Sequence, residues 1–239
     1  MVETKYISVI IPVFNEQENL IAINTELLEV LNKLPYSYEI IYINDGSTDN
    51  SISLLSNISK NHNRIRVISF NRNYGQTAAL SAGFEEAEGQ YIVTLDADRQ
   101  NSPKDIPALF KYIPKYDIVC GIRKHRKDSL VKIISSKIAN SIRNIITNEN
   151  ITDTGCSLKI IKQEYAKSFP LFEGMHRFFP TLVKLKGGKS IEVEVSHNPR
   201  RFGKSKYTTL NRMFIAFIDC LAVKWMQKRT IRYKVINNE

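Results

Sequence analysis

The sequence predicts an α/β protein built on a mostly parallel β-sheet with helices on both faces. Short β-branched and aromatic runs alternate with segments of helical spacing along the N-terminal part of the chain. The connections between them are short, as in successive βαβ units. Polar and acidic residues follow several apolar runs directly, at the strand ends where open α/β sheets gather their ligands.

The elements can be assigned in order because each predicted strand is a short apolar run and each predicted helix has apolar residues at helical spacing. Strands are predicted at residues 7–13, 38–44, 64–70, 91–95, 117–120, 158–161 and 189–195. Helices are predicted at 20–34, 74–87, 103–113, 130–146 and 208–227, with further helix starts after the 45–49 turn cluster and within 173–180.

Length and composition bound the class of protein. The 239 residues are 43% hydrophobic, with 11 Phe and 11 Tyr, which is enough for one large α/β domain or two small ones. The three cysteines are far apart and include no Cys-x-x-Cys pair, so we expect neither a disulfide framework nor a zinc site, and a reducing, cytoplasmic compartment. The early apolar run at 7–14 is too short for a secretory signal, and no run approaches the ~18 residues of a membrane span.

The most informative stretch is 91–100, an apolar strand that stops at two carboxylates. In an extended segment Asp96 and Asp98 point the same way, and with Gln100 they form an all-oxygen set that suits Mg²⁺ or Mn²⁺ rather than zinc. A substrate that carries a diphosphate is the natural partner of such a metal. The alternative is that Asp98 only caps the helix that opens near Pro103.

Two common phosphate-binding motifs are absent from the sequence. The first strand is followed by Phe14-Asn15-Glu16 rather than G-x-G-x-x-G, and no P-loop string occurs. Phosphates must therefore be held in another way. A metal on Asp96 and Asp98 is one such way, which leaves Asp45, at the end of the second strand, for the base or ribose.

Two polar segments further along the chain leave alternatives open. Residues 121–127 are densely basic and are predicted to form a loop, which is either a solvated turn or a segment whose arginines face the site. The turn at 152–156 precedes a strand, and its Asp153 is either a turn residue or a site carboxylate.

Six motifs, taken in order, resemble the polyprenyl-phosphate branch of the family 2 glycosyltransferases. They are SVIIPVFNE (8–16), NDGSTD (44–49), NRNYGQ (71–76), DADRQ (96–100), DTGC (153–156) and GKSKY (203–207). The branch includes dolichyl-phosphate mannose synthases and bacterial undecaprenyl-phosphate glycosyltransferases. Several motifs in the same order are far more specific than any one of them.

The resemblance implies a GT-A fold and inverting transfer of a sugar to the phosphate of a long-chain isoprenoid lipid. It implies that the nucleotide sugar is bound by Pro12, Phe14, Glu16 and Asp45, with Asp96, Asp98 and Gln100 around the diphosphate and its metal. One departure lies in this site, since the family usually has Leu where this chain has Arg99. We expect Arg99 to add a cation beside the metal ligands.

The acceptor side can be weighed from chemistry. A phosphomonoester has a second pKa of about 6, so it is anionic near neutral pH and needs cations more than a general base. The resemblance assigns acceptor-phosphate contacts to Arg123, Lys132 and Ser136, with Lys132 where Arg is common. Further cations are available from Arg200, Lys204 and Lys206. A sugar hydroxyl acceptor would instead require a carboxylate base, for which Asp153 is the candidate.

The chain is expected to divide into a GT-A domain, residues 1–207, and an amphipathic helix with a basic tail, residues 208–239. Phe214, Ile218, Leu221 and Trp225 share one side of that helix, a stripe typical of core packing but also of a helix lying on anionic lipid. Many family members continue into transmembrane helices where this sequence ends. We therefore expect a peripheral protein at the inner face of the cytoplasmic membrane, acting directly, through a partner or as an oligomer.

The histidines give weaker signals than the carboxylates. His176 is as consistent with a structural role as with a hydrogen bond to substrate. His62, His125 and His197 share no metal-ligand spacing. The loop at 196–207 carries several cations and one glycine, and it is expected to order over bound substrates.

Three functions follow from these observations. The first is metal-dependent transfer of a hexose, glucose from UDP-glucose or mannose from GDP-mannose, to a polyprenyl phosphate. The second is transfer by the same fold to a saccharide hydroxyl. The third is a nucleotide- or nucleic-acid-binding module, for which the formal charge of +10 would suffice. Against nucleic acid, the aromatic residues lie in apolar runs rather than among the cations, and no nucleic-acid motif appears.

Overall fold

The computed structural model describes residues 6–123, 130–199 and 209–231, and in the helices it leaves out the side chains of residues 130–135 and 209–214. Seven strands form one sheet: β1 Ile7–Val13, β2 Tyr38–Asn44, β3 Ile65–Ser69, β4 Tyr91–Thr94, β5 Ile118–Arg123, β6 Lys159–Lys162 and β7 Ser190–Val195. The helices are α1 Gln17–Leu31, α2 Ser51–Lys60, α3 Gln76–Glu86, α4 Ile106–Phe110, α5 Leu130–Thr147, α6 Gln163–Ala166, α7 Phe179–Leu185 and α8 Thr209–Arg229.

The strand order is β3-β2-β1-β4-β6-β5-β7. Every pairing is parallel except those of β6, which runs antiparallel to both β4 and β5. The buried residues form two clusters: the first includes apolar side chains of α1, α2 and α4, and the second those of α3, α7 and α8. The structure is therefore a mostly parallel sheet with helices on both faces, which confirms the predicted fold class. The class was recognisable in the sequence because strands that are covered on both faces consist of continuous apolar runs.

The fifth strand is longer than predicted. Residues 121–123, assigned from the sequence to a basic loop, instead continue β5 and pair with β7, where Gly121 lies opposite Val193 and Arg123 opposite Val195. A Cβ at Gly121 would lie 2.8 Å from Cys156 Sγ, so the strand passes too close to the neighbouring turn for a larger residue. Arg123 is therefore held by the sheet itself, at the end of a strand.

The segment after the acidic motif is also more broken than predicted. A 3₁₀ turn at Pro103–Asp105 precedes α4, which ends at Phe110 rather than at residue 113. Ser102 caps the turn, since its hydroxyl accepts from the backbone N–H of Lys104. Asp98 is therefore not the helix cap that the alternative interpretation required.

Both α5 and α8 expose apolar side chains. On α5 the described part of the predicted stripe, Ile138, Ile142 and Ile145, faces outward, and Ile145 is 81% exposed. On α8, Cys220 and Val223 are buried while Leu221 and Trp225 are exposed. The described residues of the α8 stripe thus do not pack in the core. No helix in the part of the chain that the structure describes combines the length and hydropathy needed to span a bilayer.

Candidate active site

The loops after β1 and β2 are fastened to each other at the carboxyl edge of the sheet. The backbone N–H of Asn15 donates to Ser47 Oγ at 3.0 Å, and Asn15 Oδ1 accepts from the N–H of Thr48 at 2.7 Å. Asn15 has φ +56°, a left-handed conformation that Asn tolerates better than most residues. Pro12, Phe14 and Glu16, the predicted nucleotide-binding residues of the first loop, are half-buried beside this junction.

Asp45 follows β2 and organises the start of α3. Its carboxylate accepts three hydrogen bonds, from the N–H of Tyr74 at 2.7 Å, the N–H of Gly75 at 2.9 Å and Asn73 Nδ2 at 2.8 Å. The adjacent Gly46 has φ +67°, and a Cβ there would lie 2.2 Å from the Arg72 carbonyl carbon. Glycine is therefore required at the point where the two loops meet.

The acidic motif follows β4, between the loops of β1 and β6. Gln76, the first residue of α3, donates from Nε2 to Asp96 Oδ1 at 2.8 Å, and the N–H of Asp96 donates to Ser157 Oγ at 3.1 Å. Asp98 is 6% exposed, and its Oδ1 accepts from the N–H of Gln100 at 3.0 Å. The structure thus assembles the predicted Asp96, Asp98 and Gln100 in one loop that is tied to α3 and to the turn before β6.

The side chain of Arg99 turns to α1. Its guanidinium forms an ion pair with Glu26, and its backbone has φ +61°. A left-handed residue between Asp98 and Gln100 is the kind of local strain that clusters at functional loops. The positive charge that was expected beside the metal ligands is compensated by the Glu26 carboxylate.

The donor atoms of this loop fit a divalent cation of the Mg²⁺ or Mn²⁺ type. Two carboxylates and a side-chain amide are oxygen donors, the ligands that such hard cations prefer. Among the described residues, no three His, Cys, Asp or Glu side chains form a metal-binding group, so a zinc-like cage is not found in this part of the chain. A metal here would have few protein ligands, as is usual where phosphates complete the coordination.

Arg123 and Asp153 form a bidentate ion pair across the end of β5. Nε and Nη2 of Arg123 lie 2.7 and 2.8 Å from the two carboxylate oxygens, and the Arg123 N–H donates to Asp153 Oδ2 at 3.1 Å. Burial alone would raise the pKa of Asp153, but the hydrogen bonds and charge of Arg123 outweigh it, so the pKa lies below its usual value. Glu192 accepts from the N–H of Asp153 at 3.0 Å and holds the turn against β7.

The remaining acceptor residues are only partly described. Ser136 is half-buried on α5, and Lys132 belongs to the same helix, although its side chain lies outside the described part of the structure. Arg200, Lys204 and Lys206 also lie outside the described residues. Their roles stay predictions.

Two histidines lie near the site: His176, which the sequence left open between a structural role and a substrate contact, and His197, for which the sequence gave no signal. The His176 Nδ1 is 3.0 Å from Thr77 Oγ1, at the second residue of α3. His197 is buried, and its Nε2 is 3.5 Å from Gln100 Nε2. The N–H of Asn198 also donates to the Gln100 carbonyl at 2.8 Å. These contacts join segments about a hundred residues apart, so only the folded chain reveals them.

Solved structures share this architecture and identify its fold. Glucosyl-3-phosphoglycerate synthase from Mycobacterium tuberculosis, solved with Mn²⁺, UDP and phosphoglyceric acid, superposes with a TM-score of 0.70 over 95% of this chain and 80% of its own, at 16% identity. Staphylococcus aureus TarS residues 1–349 superpose with a TM-score of 0.59 over 92% of this chain and 65% of theirs, at 18% identity. The fold is that of a GT-A glycosyltransferase.

Sequence comparison gives the family. The family model described as glycosyl transferase family 2 matches residues 8–169. An undecaprenyl-phosphate 4-deoxy-4-formamido-L-arabinose transferase of Pectobacterium atrosepticum is 36% identical over 92% of this chain and 68% of its own. A dodecaprenyl-phosphate galacturonate synthase of Rhizobium johnstonii is 34% identical over 98% of this chain and 69% of its own. The chain belongs to glycosyltransferase family 2, and its likeness to the polyprenyl-phosphate branch is confirmed.

Proposed function

We propose that this glycosyltransferase moves a sugar from a nucleotide sugar to the phosphate of a polyprenyl lipid. The relatives named above act on undecaprenyl and dodecaprenyl phosphates, which supports a lipid phosphate as the acceptor class. The arrangement of Arg123 and Asp153 supports the same acceptor, independently of any name.

The ion pair between these residues is the observation that carries the proposal. A hydroxyl acceptor needs a base that takes its proton, and Asp153, the candidate base, has a lowered pKa and gives both carboxylate oxygens to Arg123. A phosphomonoester arrives already ionised and needs a fixed cation instead. Asp153 compensates much of the Arg123 charge, but it takes only two of the five N–H donors of the guanidinium and fixes its orientation, which suits Arg123 to present its other N–H groups to a phosphate.

On the donor side, we assign the nucleotide to the loops that follow β1 and β2. Pro12, Phe14 and Glu16 lie half-buried at the end of β1, and Asp45 holds the adjoining 73–75 loop in place. Asp96, Asp98 and Gln100 would hold a Mg²⁺ or Mn²⁺ ion against the diphosphate. When bound, that ion would neutralise charge on the departing nucleoside diphosphate.

On the acceptor side, we assign the lipid phosphate to Arg123 and Ser136, with Lys132, Arg200, Lys204 and Lys206 as further cations. These residues would orient one phosphate oxygen toward the anomeric carbon on the face opposite the leaving group. A single displacement of this kind inverts the anomeric configuration. The protein's contribution is therefore positioning and charge compensation rather than proton transfer.

The sugar itself is proposed only as a class to be tested. Glucose and mannose are the predicted hexoses, whereas the relatives are named for a formamido-arabinose and for galacturonate. The donor panel should accordingly contain UDP-glucose, GDP-mannose, UDP-galacturonate and a UDP-pentose.

The enzyme would meet its lipid at the bilayer surface. Nine of the fifteen exposed large hydrophobic side chains in the described part of the chain lie on α5, on α8 or just after α8. Exposed apolar residues on two contacting helices, with Lys228 and Arg229 at the end of α8, suit the surface of an anionic membrane. We therefore propose residues 208–239 as the membrane-facing segment of a peripheral enzyme.

The proposal is tested by incubating the protein with each donor, Mg²⁺ or Mn²⁺, and either undecaprenyl phosphate or free sugars. We expect a chloroform-soluble glycolipid, formed only with divalent metal. A water-soluble product would favour the hydroxyl-acceptor alternative. No transfer with any donor, together with tight RNA or DNA binding, would reject the enzyme assignment in favour of a nucleic-acid module.

A further inference from the structure

A cavity of about 310 Å³ is lined by the C-terminal end of α5 and by residues of α7 and α8. It is separate from the candidate active site at the carboxyl edge of the sheet. Its wall includes Glu149, Thr181, Lys184, Lys224 and Lys228. Thr147, also in the wall, is eleven residues beyond Ser136 on α5, which corresponds to about 16 Å along the helix axis. None of the described side chains that we assign to the donor or the acceptor lines this cavity.

The cavity wall carries more positive than negative charge. Among the described residues of the wall there are three lysines and one carboxylate, and that carboxylate is already paired, since Lys184 Nζ lies 2.5 Å from Glu149 Oε2. Lys224 and Lys228 are one helical turn apart on α8, so their ammonium groups project from the same side of the helix. Two cations beside a neutralised pair favour an anionic occupant.

A buried guanidinium behind the wall adds to the positive charge around the cavity. Arg143 is 4% exposed and donates from Nη2 to Thr181 Oγ1 at 2.6 Å and from Nη1 to Asn144 Oδ1 at 3.2 Å. Both acceptors are uncharged, and Arg143 Nε has no hydrogen-bond partner among the described residues. A buried cation whose hydrogen bonds go to neutral groups gains from an anion nearby.

Exposed apolar side chains lie beside the cavity-lining lysines along α8. Leu221, Lys224, Trp225 and Lys228 follow one another at positions i, i+3, i+4 and i+7, so bulky apolar groups and cations share one stripe. Leu221 is 48% exposed and Trp225 is 63% exposed. Cations set among exposed Trp and Leu side chains are the composition of a surface that meets lipid headgroups.

We propose that this cavity binds the phosphate headgroup of an anionic membrane phospholipid, separate from the isoprenoid acceptor. The inference rests on the proposed membrane-surface function and adds a docking point to it. The headgroup phosphate would lie between Lys224 and Lys228, with Leu221 and Trp225 against the acyl chains. Such a contact would fix the orientation of the enzyme relative to the bilayer. It would therefore also fix the direction in which the candidate active site faces.

The test uses the full chain and two charge-matched double variants. Lys224→Gln with Lys228→Gln removes the cavity cations, and Lys33→Gln with Lys60→Gln removes two exposed lysines at the ends of α1 and α2, which pack on the other side of the sheet. Binding to phosphatidylcholine vesicles with and without phosphatidylglycerol is measured by sedimentation. We expect about thirty-fold weaker binding to the phosphatidylglycerol vesicles for the cavity variant and less than about twofold for the control.

A third variant should act in the opposite direction. Glu149→Gln keeps the side-chain shape and releases Lys184 from its ion pair, so we expect stronger binding to the anionic vesicles, by about fivefold. Equal losses in the two lysine variants would mean that net charge, not the cavity, attracts the membrane, and would overturn the proposal. Failure of wild-type protein to prefer the anionic vesicles would overturn it too.

Two further measurements separate the alternatives. If inorganic phosphate at constant ionic strength raises the Tm of wild-type protein but not of the cavity variant, while vesicle binding is the same for both, the cavity is a free-phosphate site and the lipid assignment is wrong. Turnover of a short-chain polyprenyl phosphate in detergent should be unchanged in the cavity variant. A loss there would place the lysines in the acceptor site. If wild-type protein fails to transfer any sugar yet shows the expected vesicle results, the proposed function fails and the cavity assignment stands.

Discussion

The guanidinium of Arg99 is paired with the carboxylate of Glu26, so a cation within the acidic motif is compensated by a residue of α1. The backbone of Arg99 is left-handed, with φ +61°. Because both side chains are only partly exposed, the charge of Arg99 is screened from the site by a fixed partner rather than by solvent alone.

The pairing makes a prediction about metal affinity. Arg99→Leu removes a charge that is already compensated, so we expect Mn²⁺ affinity, measured by electron paramagnetic resonance, to stay within about threefold of wild type. Glu26→Gln leaves Arg99 uncompensated beside the carboxylates and should weaken Mn²⁺ binding about fivefold, a cost on the order of 1 kcal/mol. A tenfold gain in Arg99→Leu would show that the arginine charge does act on the metal.

Asp153 should stabilise the fold in a pH-dependent way. Its folded pKa is lowered, so its contribution is present above the unfolded value of about 3.9 and is lost as pH falls through the folded pKa. Asp153→Asn leaves Arg123 without its partner, and we expect it to reduce the free energy of unfolding at neutral pH by about 3 kcal/mol. In urea titrations at pH values from neutral to acid, the difference in unfolding free energy between Asp153→Asn and wild type should become smaller as the pH falls.

The same variant separates positioning from base catalysis. Loss of a general base would lower kcat by about 10²- to 10⁴-fold and abolish the acidic limb of the pH profile. If Asp153 only holds Arg123, we expect Asp153→Asn to raise the KM for polyprenyl phosphate and to keep the shape of the kcat profile. Loss of the acidic limb of the kcat profile in Asp153→Asn would instead favour a hydroxyl acceptor with Asp153 as the base.

Asp45→Asn should weaken both the fold and donor binding. An amide nitrogen in place of one carboxylate oxygen would face the N–H groups of Tyr74 or Gly75, and we expect a loss of about 2 kcal/mol in unfolding free energy. The rise in Tm caused by UDP should shrink as well. Asp117→Asn is the control, since Asp117 accepts from the Lys189 N–H at the far side of the sheet. It should lower stability and leave the UDP effect intact.

Gly46 should tolerate no side chain. Gly46→Ala combines a left-handed φ with a Cβ 2.2 Å from the Arg72 backbone, so we expect a loss of about 3 kcal/mol or more in urea unfolding. Gly187 has φ +85° with no atom within 4 Å of its Cβ position. Gly187→Ala should therefore cost only the backbone strain, about 1–2 kcal/mol. Similar losses in the two variants would argue against the close contact.

The exposed stripe of α8 gives a prediction about membrane binding. Deleting 208–239 would also remove the buried Cys220 and Val223, so point substitutions are cleaner. Leu221→Ser with Trp225→Ser should reduce vesicle flotation about tenfold and leave Tm nearly unchanged. The control, Ile21→Ser with Ile52→Ser, removes exposed residues of α1 and α2 and should float like wild type.

Local sequence was sufficient to predict the boundaries of those elements that are determined by their own residues. β1 and β2 begin and end at the predicted residues because continuous apolar runs are closed by polar loops. It was insufficient where pairing with another strand determines the length or the direction of an element. The extension of β5 through Arg123 depends on pairing with β7, and the reversed direction of β6 leaves no mark in a run of four residues.

The site followed the same division. Asp45 directly follows β2, and Asp96 and Asp98 lie two and four residues after β4, so the sequence could place all three near the carboxyl edge of the sheet. The Arg123–Asp153 pair, the Arg99–Glu26 pair and the approach of His197 to Gln100 join distant segments, and no periodicity encodes such contacts. The apolar stripe of α5 was recognisable, but the sequence alone did not show that it faces outward.

The reversal of β6 determines which edge of the sheet Asp153 occupies. Because this strand begins at the edge where its parallel neighbours end, the turn ahead of it lies at the same edge as Asp45 and Asp96. Under the proposed function, recognition of the second substrate would then depend on a short stretch separate from the proposed nucleotide loops. Substitutions in that stretch would change the acceptor and leave the donor loops as they are.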